Sequence, residues 1–206
     1  KYYAVINSLT NSAYSLIWNS VEFTDVMDHW AKDAVNNMGS RMIVSGGGDN
    51  TYAPDRDITR AEFAAIIIRA LGLEPGTGDS GFDDVSENDW YCGYIKTASA
   101  YGIITGCNGN FAPKDKITRE QAMTIIARAM KLTGLRTSLS VKDAHTLLAG
   151  YADGANVSDY AEEGIAACIR TEIVKGRGNM IAPKDNITRA EVAVIVQRLL
   201  QKSELI

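Results

Sequence analysis

The stretch Ala-Pro-Asp-Arg-Asp-Ile-Thr-Arg-Ala-Glu at residues 53–62 decides the fold, because nearly the same stretch occurs three times. It recurs as Ala-Pro-Lys-Asp-Lys-Ile-Thr-Arg-Glu-Gln at 112–121 and as Ala-Pro-Lys-Asp-Asn-Ile-Thr-Arg-Ala-Glu at 182–191. A chain that repeats a polar, charged loop as closely as its apolar helices is expected to repeat a binding surface. Three similar units are also expected to pack around a common axis or to stack in a row.

Each repeat contains further shared features in the same order. The opening is Phe-Thr-Asp-Val at 23–26, Phe-Asp-Asp-Val at 82–85 and Tyr-Ala-Asp-Gly at 151–154. An acid then precedes an aromatic residue, and we expect the acid to cap a short first helix. These pairs are Asp28 with Trp30, Asp89 with Trp90, and Asp159 with Tyr160. A glycine turn ends this helix, at Gly46, Gly106 and Gly176, where a positive φ is expected.

A second, longer helix begins at each Ile-Thr-Arg loop. Thr59 with Glu62, Thr118 with Gln121, and Thr188 with Glu191 have the spacing of capping boxes. Apolar residues follow at helical spacing, and Gly72 and Gly134 are placed to end the first two of these helices. The pattern predicts a mostly α fold of three helix–loop–helix repeats with short or no strands. The best strand candidates are residues 2–6 and the Phe-x-Asp-Val openings.

Length and composition narrow the function classes. The chain has 206 residues, 46% of them hydrophobic, and a formal net charge of −4. Each unit alone would be marginally stable, so a shared core is expected. The negative charge argues against nucleic-acid binding, and no apolar run is long enough for membrane insertion. The isolated domain is expected to be monomeric.

The repeats set the expected boundaries. We assign 22–73, 82–135 and 151–206 to the three repeats, 74–81 to a linker, and 136–150 to a connection with a helical stretch. The chain does not begin with methionine, so 1–21 is expected to be a lead-in or the end of a preceding segment. The three cysteines show no metal-binding spacing, and a Cys92–Cys107 disulfide is left open.

The arginine after each capping threonine is the main candidate site residue: Arg60, Arg119 and Arg189. A cation at this position opposes the positive end of the helix dipole, so three such placements require a reason. One reason is an anion site formed with the free N–H groups of the helix start. The other is a structural salt bridge to Asp25, Asp84 or Asp153. The residues alone leave both readings open.

The aromatic residues allow two readings as well. Trp30, Trp90 and Tyr160 could stack against the apolar face of a sugar ring, or they could be core residues. No hydrolase, phosphate-loop, dinucleotide or metal motif is present, and the acidic loops lack the ligand spacing of a calcium site. We therefore expect no cofactor, no metal and no enzymatic activity.

Together, these motifs resemble the S-layer homology repeat, and three copies resemble a complete cell-wall anchoring domain over about residues 22–206. The resemblance implies a pseudo-threefold arrangement around a central helical bundle built by the first helices. It further implies grooves between repeats that bind a secondary cell wall polymer bearing pyruvylated N-acetylmannosamine, outside a Gram-positive-type bacterium. The motif arginines, aromatics and turn glycines named above would then bind the ligand.

Two departures from the family pattern bear on which grooves work. The second repeat has Arg-Glu-Gln in place of Arg-Ala-Glu, and the third has Tyr160 in place of tryptophan. Because the first two repeats keep tryptophan, we expect Arg60 and Arg119 to matter more than Arg189. The competing hypothesis is a protein-interaction or lattice-forming surface module that binds no glycan.

Overall fold

The computed structural model describes residues 17–206, and α-helices account for most of its regular structure. The helices in this part of the chain are α1 (Lys32–Ser40), α2 (Arg60–Ala70), α3 (Cys92–Ala100), α4 (Arg119–Leu132), α5 (Val141–Leu148), α6 (Glu162–Arg170) and α7 (Arg189–Lys202). Short 3-10 helices span Thr24–Val26, Gly154–Asn156 and Asp159–Ala161. The prediction of a mostly α fold is confirmed.

The second helix of each repeat begins as its sequence predicts. Both halves of the capping box are present at the starts of α2, α4 and α7. In α2 the Thr59 hydroxyl accepts from the N–H of Glu62, and the Glu62 carboxylate accepts from the N–H of Thr59. Gly72 and Gly134 lie just beyond α2 and α4 with φ of 64° and 78°, as expected of helix-ending glycines.

The first helix of each repeat begins differently from the prediction. Their N-cap residues are Ala31, Tyr91 and Ala161, and none of these caps is a side-chain hydrogen bond. The expected capping role of the preceding acids is therefore wrong. The carboxylate of Asp89 instead accepts a 2.9 Å bond from the N–H of Ser86 in the turn before the helix.

Within residues 17–206 the expected strands are also absent. Residues Thr24–Val26 form a 3-10 helix, and Asp83 and Asp84 form a turn. Pairing of extended residues within 17–206 is limited to isolated bridges. The candidate strand at 2–6 lies outside the described residues.

Helix packing joins each repeat to the next one. The second helix of one repeat packs on the first helix of the next: α2 on α3, α4 on α6, and α7 back on α1. The helix α5, in the connection, packs on α6. These main contacts differ from the bundle of first helices that the resemblance implied. The second helices are the more buried set, and their apolar stripes form one core with the rest of the molecule.

The three Ile-Thr-Arg loops meet in a closed ring of backbone hydrogen bonds. The N–H of Ile58 donates to Ile187, that of Ile187 to Ile117, and that of Ile117 to Ile58, at 3.1, 3.1 and 3.3 Å. All three side chains are buried. Bridges Asp57–Thr188, Thr59–Lys116 and Thr118–Asn186 repeat the same cycle. Equivalent contacts in cyclic order are what the expected pseudo-threefold arrangement requires.

The cysteines make no disulfide. Cys92, Cys107 and Cys168 are all free thiols, and Cys168 is fully buried, where burial raises the pKa of its thiol. In the part of the chain that the structure describes, no helix has the length and apolar character needed to cross a membrane.

Candidate functional site

The opening acid of each repeat shapes the loop that leads to the second helix. Both oxygens of Asp84 accept backbone bonds, from the N–H groups of Phe111 and Ala112 at 2.8 and 2.7 Å. Asp25 and Asp153 make the same pair of bonds in their own repeats. The clamped alanine has a positive φ of 57°, a conformation that L residues rarely adopt. These acids therefore accept bonds from the loop backbone and are not salt-bridge partners of the motif arginines. The predicted salt bridge to Asp25, Asp84 or Asp153 is wrong.

Each motif arginine reaches from its helix start into the loop of the following repeat. The Nε of Arg60 donates to the carbonyl of Phe111 at 2.8 Å, that of Arg119 to Ile181 at 2.9 Å, and that of Arg189 to Tyr52 at 2.8 Å. The arginine backbone N–H groups also donate to that loop. These carbonyl acceptors stabilise the guanidinium, and they explain why an arginine is found at the positive end of each helix.

The remaining nitrogens of these arginines have different surroundings. Nη1 of Arg119 contacts Glu191 at 2.9 Å, and Nη1 of Arg189 contacts Glu62 at 3.5 Å. Both arginines are buried, with 2% and 7% of their surface exposed. Arg60 is only half-buried, and within the described residues no acid is in ion-pair contact with it.

The nine predicted site residues lie in three grooves, and each groove takes one residue from each repeat. The first groove holds Arg60, Gly106 and Tyr160, the second Arg119, Gly176 and Trp30, and the third Arg189, Gly46 and Trp90. An arginine thus meets the glycine turn of the next repeat and the aromatic residue of the remaining one. The cavity volumes are about 640 Å³ in the first groove, 220 Å³ in the second and 340 Å³ in the third.

The aromatic residues are exposed, so the interpretation that they are core residues is wrong. Trp30 is 66% exposed, and Trp90 and Tyr160 are each 58% exposed. Because Tyr160 shares a groove with Arg60, its substitution for tryptophan does not weaken the groove of Arg189, which contains Trp90. The basis for ranking Arg189 last is therefore wrong.

The turn glycines are required for close packing and not for a special backbone angle. A Cβ on Gly46 would lie 2.5 Å from the carbonyl oxygen of Thr51 and 2.7 Å from the Phe23 ring. Gly106 and Gly176 are similarly enclosed by their opening aromatic residue and a backbone oxygen. Positive φ occurs a few residues further on, at Gly48, Gly109 and Gly178.

A second arginine in each groove was missed by the sequence reasoning. Arg128 lies in the first groove, Arg198 in the second and Arg69 in the third. Each follows the motif arginine of its own repeat by nine positions. That constant spacing in all three second helices was the signal that could have identified them.

Two carboxylates in the grooves are held in their charged form. Burial alone would raise the pKa of Glu191, but hydrogen bonds from Arg177 and the charge of Arg119 outweigh it and lower the pKa. Glu62 behaves in the same way, with Arg56 as its main partner. These anions partly neutralise the second and third grooves.

The first groove is lined by Asp115, which is not in ion-pair contact with Arg60, and a buried acid, Glu120, lies beside its aromatic residue. Glu120 accepts bonds from the hydroxyl of Tyr160 at 3.1 Å, the N–H of Ser158 at 3.1 Å and the ammonium of Lys184 at 2.8 Å. Burial and the bond to Glu120 raise the pKa of Tyr160 to about 12, so its hydroxyl stays protonated at neutral pH. No cluster of potential metal ligands is found among residues 17–206.

With this geometry established, comparison with known proteins identifies the family. The model of the S-layer homology domain matches residues 22–64, 81–123 and 150–193. The chain belongs to the S-layer homology domain family. Each matched segment contains one motif arginine, one exposed aromatic residue and one turn glycine of the grooves.

Several known proteins contain a related segment. An amylopullulanase of Thermoanaerobacterium thermosulfurigenes is 37% identical over 96% of this chain, and the exoglucanase XynX of Acetivibrio thermocellus is 37% identical over 95% of it. The S-layer protein sap of Bacillus anthracis is 30% identical over 85% of the chain. The match spans only 10%, 18% and 21% of these three relatives, so the chain corresponds to a small part of each. Its family associates it with bacterial surface and cell-wall proteins.

Proposed function

We propose that this chain anchors a surface protein to the cell wall by binding secondary cell wall polymer in the grooves between its repeats. The proposed ligand group is pyruvylated N-acetylmannosamine, which presents a carboxylate on a sugar ring. The observation that carries the proposal is the threefold recurrence of one exposed aromatic ring, one motif arginine and one glycine turn in a single groove.

The chemistry of the grooves suits an anionic sugar. An exposed aromatic ring can cover the apolar face of a pyranose, and a guanidinium can bind a carboxylate through two parallel N–H bonds. The glycine turn forms part of the lining of each groove. The second arginines, Arg69, Arg128 and Arg198, place a further positive charge on the wall of each groove.

The relatives support an anchoring role in preference to catalysis. Their names describe unlike proteins, among them an amylopullulanase, an exoglucanase and a surface layer protein. A segment that recurs as a small part of such different proteins is best explained by a shared location. We accordingly place this chain outside the cell, at the wall of a Gram-positive-type bacterium, and assign it no catalytic role.

Cosedimentation with purified cell walls tests the proposal. The full chain is expected to bind intact walls, to lose binding when the polymer is extracted, and to lose it when pyruvate alone is removed. Arg60→Ala is expected to weaken binding, whereas Lys142→Ala, which removes an exposed charge on α5 outside the grooves, is expected to bind as the parent does. Equal binding to intact and polymer-free walls would contradict the proposal and favour a protein partner.

A further inference from the structure

The three grooves differ at the residue that completes the capping box. Glu191 lines the second groove and Glu62 the third, while the corresponding residue of the first groove is Gln121. The capping function is unaffected, because the amide oxygen of Gln121 accepts from the N–H of Thr118 as the carboxylates do in their repeats. The substitution therefore changes the charge of the groove without changing the helix start.

In the second groove the carboxylate of Glu191 is already paired with arginines of the protein. Glu191 contacts Arg119 at 2.9 Å and accepts two further 2.9 Å bonds from Arg177. One nitrogen of Arg119, Nη2, has no hydrogen-bond partner and is buried from solvent. An incoming carboxylate would also meet the negative charge of Glu191.

In the third groove the carboxylate of Glu62 is likewise paired with arginines of the protein. Glu62 is paired with Arg56 and lies 3.5 Å from Nη1 of Arg189, while Nη2 of Arg189 donates to the carbonyl of Ser45 at 2.7 Å. All three nitrogens of the Arg189 guanidinium therefore have acceptors within the protein, since its Nε donates to Tyr52.

In the first groove the guanidinium is open. Arg60 uses its Nε for the carbonyl of Phe111 and lies over the Phe111 ring at 4.7 Å. The acids that act on it electrostatically, Asp115 and Asp84, are not in ion-pair contact with it. Arg60 is also the least buried of the three motif arginines, and its groove is the largest.

The first groove has Gln121 in place of an acid at the capping position, but the residue just before it, Glu120, is an acid. Glu120 positions the aromatic ring of this groove. Glu120 stands where the other repeats have Ala61 and Ala190. It holds the hydroxyl of Tyr160, and its own charge is paired with Lys184. The first groove thus combines an unpaired guanidinium with an aromatic ring in a set orientation.

We propose that the first groove is the principal site for a carboxylate-bearing sugar, because with Gln121 at the capping position no carboxylate of the described residues is in ion-pair contact with Arg60, and because Glu120 positions Tyr160. This inference rests on the proposed function and specifies which groove performs it. The second and third grooves, whose arginines serve mainly to join the repeats, bind the same sugar more weakly.

Calorimetry with the full chain and pyruvylated N-acetylmannosamine tests the assignment. Gln121→Glu is expected to weaken the strongest binding by about tenfold or more, because the new carboxylate competes for Arg60. Glu191→Gln, the reverse change in the second groove, is expected to leave that binding equal or tighter. Both variants retain a side chain that completes the capping box, and urea unfolding checks that they fold.

Two further results separate the possible failures. If the parent chain binds no pyruvylated sugar, both the proposed function and the groove assignment are overturned. If the parent binds but Gln121→Glu binds equally well, or Glu191→Gln loses as much affinity, only the groove assignment is overturned. Arg60→Gln introduces no new charge and is expected to lose at least as much affinity as Gln121→Glu; unchanged affinity in this variant would also overturn the assignment.

Discussion

Arg60 and Arg119 occupy the same position of their repeats, yet their side chains have different surroundings. Arg119 is 2% exposed and bonded to Ile181 and Glu191, which belong to the next repeat. Arg60 is half-buried and has one such bond, to Phe111. Position within a repeat therefore does not determine how deeply an arginine is buried or how many partners it has.

This difference predicts unequal effects of the same substitution on stability. Arg119→Lys is expected to lower the free energy of unfolding by about 2–3 kcal/mol, because an ammonium cannot reproduce a buried set of charged hydrogen bonds. Arg60→Lys is expected to cost about 1 kcal/mol or less, since one bond is at stake. Urea unfolding of both variants measures the difference. Equal losses would show that the two arginines have the same structural role, and our distinction would then be wrong.

The nine candidate residues that line the grooves could be singled out from the sequence, but their grouping into grooves could not. Repetition alone singled out the arginines, the aromatics and the turn glycines. Which aromatic residue lies near which arginine depends on how the repeats are arranged in space, and Tyr160 lies with Arg60 although they are one hundred positions apart in the sequence. The partners Glu62 and Glu191 were predicted only as caps, because their second contacts are to distant arginines.

At the scale of elements, the sequence was most informative where the signal is local. The capping boxes and helix-ending glycines depend on residues within one turn, and they were predicted correctly. The Phe-x-Asp-Val openings were wrongly predicted as strands, because a four-residue segment with an aromatic residue at one end and an apolar residue at the other fits a strand as well as it fits a turn. The shape of the openings depends instead on the carboxylates of Asp25 and Asp84, which accept hydrogen bonds from backbone N–H groups 27 and 28 positions further along the chain.

The glycine turn allows a matched test at this scale. Gly46→Ala is expected to lower the free energy of unfolding by about 1–3 kcal/mol, because the new Cβ would overlap Thr51 and Phe23. Gly47→Ala in the same turn is the control, since its Cβ would be 3.4 Å from its nearest neighbour, Asp49, and the expected change is within about 0.5 kcal/mol. Thermal and urea unfolding of both variants check this. A stable Gly46→Ala variant would show that the enclosure of the turn is looser than described.

At the scale of the whole molecule, the repeats are interdependent. The backbone ring of Ile58, Ile117 and Ile187 closes only when all three repeats are present, and α7 of the third repeat packs on α1 of the first. Every groove likewise takes residues from all three repeats. The proposed binding sites therefore require the assembled domain and cannot be formed by a single repeat.

The most direct test of this account is a crystal structure of the chain bound to pyruvylated N-acetylmannosamine. We predict that the sugar lies in the first groove, with its carboxylate on Arg60, its ring against Tyr160 and its edge beside the turn at Gly106. These contacts would come from the first, third and second repeats in that order. A sugar bound outside all three grooves, or held by residues of one repeat alone, would contradict the account.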